Sequence, residues 1–167
     1  DPEENLKRSI VADNALIAGF EGVTFGIHIC RGNPRTVDPK SGAILPQWHR
    51  EGHYDAIAEQ LFSGLQHHRL LLEYDSERAG SFTPLRFVRE GAVAVLGLVS
   101  TKSAEMESAD ALKRRIDEAS RYLPVEQLAF LSQTVAEAQL LLVHTLQPRV
   151  LLKPELLRLP KLVCFSF

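Results

Sequence analysis

DAIAEQLFSGLQHHRLLLEY, residues 55–74, changes its hydrophobic period halfway along. In and just before its first part, Tyr54, Ile57, Ala58, Leu61, Phe62 and Leu65 recur at three- and four-residue spacing. That spacing predicts a helix from about Asp55 to His67 with one buried face. In its second part, Leu70 to Tyr74 is a short apolar run, long enough for a buried strand and too short for a helix. A helix that passes within a few residues into a buried strand is half of a βαβ unit.

The chain on either side repeats the alternation. Upstream, Leu6 to Ile17 predicts a helix carrying Ile10, Val11 and Ala15 among charged neighbours, and Val23 to Cys30 predicts a strand. Between that strand and the central helix, Arg31 to His53 reads as a long polar loop with Pro34, Pro39 and Pro46. Downstream, Thr83 to Val88 predicts a brief helical turn, and Ala92 to Val99 an apolar strand led in by Gly91. Leu112, Ile116, Ala119 and Leu123 then mark a helix closed by Pro124, and Leu128 to Leu131 a further strand. Strands alternating with helices predict an α/β fold with parallel strands and helices packed outside them.

Composition bounds the function. The chain has 167 residues, 45% of them hydrophobic, and a formal net charge of -2. That suits one ordinary domain with a real core. No basic stripe is present, so nucleic acid is not expected as a partner. No apolar run approaches the roughly 18 residues of a spanning helix, so no membrane is expected either. The polar, acidic start Asp1 to Asn5 does not read as a signal peptide. Two cysteines, Cys30 and Cys164, fit a reducing compartment. The expectation is a soluble, cytoplasmic protein.

Side chains alternate along a strand, so Val23, Phe25, Ile27 and Ile29 share one face, while Thr24, Gly26, His28 and Cys30 share the other. On the next strand Leu71, Glu73 and Asp75 share a face. Two successive parallel strands are thus expected to deliver His28, Cys30, Glu73 and Asp75 to one interior at their C-terminal ends, where a βα barrel keeps its chemistry. Imidazole, thiolate and carboxylate are all ligands that Zn²⁺ accepts. Neighbouring strands lie about 4.8 Å apart, close enough for one metal to be shared. The alternative reading makes His28 a hydrogen-bonded core histidine and Cys30 a small buried hydrophobe. Glu73 follows three leucines, so burial is expected, and with it a cation, donors or a metal. Thr101 and Lys102 follow the third strand at the same end of the sheet. There they are candidates for binding a substrate anion, a solvated lysine being the alternative. His67 and His68 read as a solvated pair at a helix C-terminus.

The pieces "HICRGNP", "W..EGHYDAIAEQLF", "LLLEYDSERAGSFTPLRFV", "VAVLGLVSTK" and "RIDEASRYLPVEQLAFLS" occur in order between about Asn14 and Ser132. Together they resemble the C-terminal catalytic half of the cobalamin-independent methionine synthase family, and more closely its short single-barrel relatives, including the epoxyalkane:coenzyme M transferases. The resemblance implies a (β/α)₈ barrel with a zinc at the C-terminal ends of its strands. The zinc would bind a substrate thiol whose thiolate is then alkylated. In methionine synthases the thiol is homocysteine and the donor a polyglutamylated methyltetrahydrofolate. By motif, His28 and Cys30 match the H-x-C metal ligands and Glu73 the carboxylate ligand on the following strand. Asp75, beside it, is the candidate catalytic carboxylate, holding the metal shell or the substrate amine. The partners implied are a small-molecule thiol and a methyl or alkyl donor.

The chain departs from the family in two ways. The family's last strand ends in an "SPQCGF"-like motif with a further cysteine ligand. Here that motif is absent after Ser132, and residues 133–167 form a divergent, leucine-rich tail, as abrupt as a frameshift or altered gene end would make it. The histidine that the family places after the strand ending "GLVSTKS" is missing too. A whole barrel needs about 250 residues, so residues 1–132 are expected to form about four βα units, a partial TIM barrel. Its open strand edges would be covered by a second copy or by the tail. Two functional readings follow: a zinc-dependent S-methyltransferase or alkyltransferase, and an inactive barrel fragment serving as a binding module. A uroporphyrinogen-decarboxylase-like barrel without zinc ranks behind both.

Overall fold

The computed structural model of the protein describes residues 1–29, 35–48, 52–100 and 107–132. Cys30, Thr101, Lys102 and the tail from residue 133 lie outside the described residues. Helix α1 (Pro2–Ile17) begins at Pro2 rather than Leu6. The Asp1 carboxylate accepts from the Glu3 N–H at 3.0 Å, and Pro2 presets the first helical turn. Lys7 pairs with Glu3 at 2.9 Å on the exposed side. The helix docks through Ile10, which packs against Gly64, and through Asn14. The Asn14 amide donates to the Gly64 carbonyl and accepts from the Gln66 N–H, both at 2.8 Å.

Four parallel strands form the main sheet in the order β1 (Gly26–Ile29), β4 (Arg69–Glu73), β5 (Val93–Val99) and β6 (Leu128–Ser132). β4 and β5 each start one residue from the Leu70 and Ala92 read off the sequence, but β1 opens at Gly26, three residues after Val23, which stands 37% exposed rather than on the buried face. One side of the sheet carries Ile27, Ile29, Leu70, Leu72, Ala94, Leu96, Leu98 and Leu128 into the principal core. Helix α2 (Ala58–Gly64) covers it with Ala58, Leu61 and Phe62. Burying each such leucine or phenylalanine contributes about 1.5–3 kcal/mol. The other side carries a smaller apolar row of Leu71, Val95 and Ala129. The architecture is therefore mixed α/β with a parallel sheet, as the alternating pattern predicts.

Three local expectations are corrected. The stretch expected as a loop from Arg31 to His53 contains an antiparallel pair, β2 (Arg35–Val37) and β3 (Ile44–Trp48). Its turn is built on Asp38, whose carboxylate accepts from the N–H groups of Lys40 (2.7 Å) and Ser41 (3.3 Å), with Gly42 at φ 70°. The helix expected over 55–67 is a 3₁₀ turn (Tyr54–Ala56) followed by the short α2. His67 is not solvated: it is 2% exposed, and burial, with repulsion from His68 and Arg89, holds it below the ordinary imidazole range. Its neighbour His68 is exposed and accepts the Phe25 N–H at Nδ1 (3.0 Å). Helix α3 (Ala109–Ala119), capped by Ser108, agrees with its periodicity but ends before Leu123.

Asp13 on α1 is 6% exposed, and its Oδ2 has no hydrogen-bond partner. Burial raises its pKa. The folded state therefore holds this proton to higher pH than the unfolded chain does, so the group's effect on stability worsens as pH rises above about 3.9. Asp13→Asn is expected to raise stability by about 1 kcal/mol at pH 7 and to leave it unchanged near pH 3. Urea unfolding at the two pH values measures this.

Candidate functional site

The smaller face of the sheet is built by register. His28 on β1 pairs with Leu71 on β4, Leu71 with Val95 on β5, and Val95 with Ala129 on β6. In parallel strands, paired residues point to the same side. One pleat further on, Glu73 pairs with Gly97, which adds no side chain. His28 and Glu73 therefore lie on one face of adjacent strands, the carboxylate diagonal to the imidazole and nearer the C-terminal end. The leucine of that row, Leu71, sits beside His28 and does not stand between it and the strand end.

Glu73 is 3% exposed. An Oε1 of Glu73 lies 3.8 Å from Nη1 of Arg78, itself 11% exposed. Arg78 belongs to the 3₁₀ turn Glu77–Ala79 that follows β4, so the chain folds back to bring a cation to the carboxylate. At 3.8 Å this is a charge–charge contact beyond hydrogen-bond length. His28 is half-buried, and its Nδ1 is sealed from solvent without a hydrogen-bond partner. A sealed ring nitrogen without a donor or acceptor is costly unless something else engages it.

Asp75 lies beyond the end of β4, where its Oδ2 accepts from the Ser100 hydroxyl at 3.0 Å. Ser100 follows β5, and its N–H donates to Oε1 of Glu107 at 2.8 Å. Arg115 on α3 faces the same group and stacks over Phe82 at 5.2 Å. Burial lowers the Arg115 pKa, against the attraction of Glu118, Asp75 and Glu107. Asp75 thus belongs to a polar group tying β4, β5 and the start of α3 together. Among the described residues no set of three or more His, Cys, Asp or Glu side chains is placed to hold a metal ion. The third expected ligand, Cys30, and the candidate anion binders Thr101 and Lys102 are outside the described residues.

Sequence reasoning missed Tyr54, which it counted only as an apolar helix position. Tyr54 is 1% exposed, and its ring lies tilted against those of Phe62 (5.7 Å) and Tyr74 (5.2 Å). Its hydroxyl donates to the Ile29 carbonyl at 2.8 Å and accepts from the Glu73 N–H at 3.0 Å. The available signal was chemical: a buried tyrosine must find a partner for its hydroxyl. Arg78, Ser100, Glu107 and Arg115 had no comparable signal, because each meets its partner only through the turn of the chain.

No protein-family model matches the chain. Two curated relatives do, the uncharacterized proteins YxjG and YxjH of Bacillus subtilis (strain 168), at 45% and 42% identity over 122 and 114 residues. The matches take in 72% and 68% of this chain but only 30% and 28% of the relatives, so the chain spans less than a third of their length. A crystal structure of a candidate vitamin-B12-independent methionine synthase from Listeria monocytogenes is similar at 29% identity and a TM-score of 0.49. That match covers 71% of this chain and 30% of the other. No helix among the described residues is long and apolar enough to cross a membrane.

Proposed function

We propose that the chain is part of a (β/α)₈ barrel whose strand ends serve zinc-dependent transfer of a methyl or alkyl group to a thiol, the chemistry of the cobalamin-independent methionine synthase family. The single observation that carries this reading is the shared face: His28 and Glu73 leave adjacent parallel strands on one side of the sheet, near the C-terminal ends. The sealed, partnerless Nδ1 of His28 fits a ring poised to engage a cation. His28, Cys30 and Glu73 would hold the metal. When bound, zinc lowers the pKa of a coordinated thiol so that a thiolate is presented to the alkyl donor near neutral pH.

The chain's own residues supply the setting. The Leu71–Val95–Ala129 row lines the face next to His28 and keeps water from that side. Asp75, whose carboxylate accepts from the Ser100 hydroxyl, would orient a substrate amine. Thr101 and Lys102 would bind an anionic part of the substrate, and a second copy would cover open strand edges. The setting fits a cytoplasmic enzyme of small thiols.

Metal content after purification from zinc-supplemented medium tests the reading. About one zinc per chain is expected, lost in His28→Ala and in Cys30→Ala while the circular dichroism spectrum is retained. A folded wild-type chain without metal would overturn it.

One observation favours the second reading, an inactive fragment acting as a binding module. Arg78 already brings a positive charge to Glu73, so the buried carboxylate has a partner without any metal. Under this reading zinc neither co-purifies nor raises the melting temperature.

A further inference from the structure

Gly80 sits where the loop after β4 meets the turn before α2. That loop leaves the strand at Glu73 and brings Arg78 back to it, 3.8 Å from the carboxylate. Its base is closed by Tyr74, whose ring stacks on Phe82 at 4.7 Å and whose hydroxyl donates to the Ser81 carbonyl at 3.3 Å. Gly80 stands at φ 78°, ψ -154°, a backbone region open essentially to glycine. Conformation is only half of the requirement. A side-chain carbon on Gly80 would lie 2.8 Å from Cγ and 2.9 Å from Cβ of His53, and 2.9 Å from Oδ2 of Asp55. Carbon atoms in contact settle about 3.5–4.0 Å apart. The Asp55 oxygen can swing aside, because that side chain is exposed. The His53 Cβ is fixed to the backbone, so only a shift of one segment against the other would make room.

His53 and Asp55 flank Tyr54, whose hydroxyl meets both the Ile29 carbonyl and the Glu73 N–H. The turn 53–55 therefore touches the ends of β1 and β4 through its middle residue, and the Arg78 loop through its outer two. We infer that Gly80 is a positioning residue: its bare backbone seats the loop on His53 and Asp55, and this seat sets the Arg78 guanidinium at the Glu73 carboxylate. Arg78 is two residues from Gly80, and Ala79 between them is buried at 2% exposure, so a displacement at Gly80 passes to Arg78. In the proposed zinc site Glu73 is a ligand, and Arg78 is the charged neighbour that aims it, as outer partners of ligating carboxylates do. That purpose rests on the zinc reading; the seat itself does not.

Gly80→Ala is measured against Gly91→Ala, because Gly91 has a similar positive φ (80°) and no described atom within 4 Å of the added carbon. Urea unfolding of the full chain then gives two cycles. In the Arg78→Ala background, the effect of Gly80→Ala on the unfolding equilibrium constant should shrink about tenfold, since the ion pair is no longer there to disturb. An equal effect in both backgrounds overturns the positioning role. In the combined His53→Gly, Asp55→Ala background, the effect should fall to that of Gly91→Ala; an unchanged effect overturns the seat. If Gly80→Ala does not fold, the His53→Gly, Asp55→Ala variant takes its place in the cycle with Arg78→Ala, because it removes the seat from the other side. The same coupling of about tenfold is expected, and additivity overturns the proposal. Co²⁺ affinity, followed by visible absorption at a temperature where all variants are folded, tests the purpose. A loss of about tenfold in Gly80→Ala, against less than about twofold in Gly91→Ala, supports it, and equal affinity in Gly80→Ala and wild type overturns it. If wild type binds no Co²⁺, the zinc reading and the metal-site purpose both fall, while the urea cycles still decide whether Gly80 places Arg78.

Discussion

Arg78→Ala is expected to lower the free energy of unfolding by about 3 kcal/mol at neutral pH. An exposed ion pair would be worth about 1 kcal/mol at most. Here Glu73 is buried at 3% exposure and Arg78 is largely covered at 11%, so the larger scale applies. Removing the cation takes away a charge that offsets the lost hydration of the buried Glu73 carboxylate. Replacing both residues with leucine should recover most of the loss, because two apolar side chains carry no such cost. Urea unfolding of Arg78→Leu, Glu73→Leu and the double variant measures the coupling. The same series separates the two functional readings. If Glu73 is a metal ligand, zinc at about a hundred times its Kd should restore up to about 2.7 kcal/mol to Arg78→Ala. If Glu73 is only an ion-pair partner, zinc leaves that variant's stability where it was.

Arg89→Ala is expected to cost about 3 kcal/mol as well, for a different reason. The Arg89 guanidinium donates to the carbonyls of Leu65 (3.1 Å), Gln66 (2.8 Å) and His67 (2.9 Å). These follow α2 and lead into β4, where helix and strand ladders leave carbonyls to be satisfied by other groups. A charged donor that serves three of them also fixes the path from helix to strand, and so where β4 begins. Arg89→Lys should recover only part of the loss, since an ammonium cannot reproduce the planar fork. Thermal unfolding of the three proteins tests this, and equal stability in Arg89→Ala and wild type would refute it.

Much of the fold was legible because periodicity is local. The change of period across residues 55–74 correctly places a helix before β4, and the apolar run Ala92 to Val99 places β5. The loop reading failed at β2 and β3 because three- and five-residue strands, one containing Pro46, carry too little pattern to stand out. The Asp38-to-Gly42 turn was the usable signal, a side chain bonding its own backbone ahead of a glycine. The first strand was drawn too long at Val23 because hydrophobicity alone does not reveal where a ladder starts. The solvated reading of His67 and His68 failed for one member because a two-residue polar pair at a bend need not share an environment.

For the candidate site, the period-two alternation by itself determined that His28 and Glu73 each turn away from Ile29 and Leu72, and hence away from the main core. Burial of Glu73 likewise followed from the leucines before it. Only the tertiary structure decided what meets them: Arg78 returning to Glu73, Ser100 reaching Asp75, and the Tyr54 hydroxyl meeting both the Ile29 carbonyl and the Glu73 N–H. The physical reason is range. Side-chain direction is set by the covalent geometry of the strand, residue by residue. A hydrogen-bond or ion-pair partner is set by how separate elements pack, and that information is spread over the whole chain.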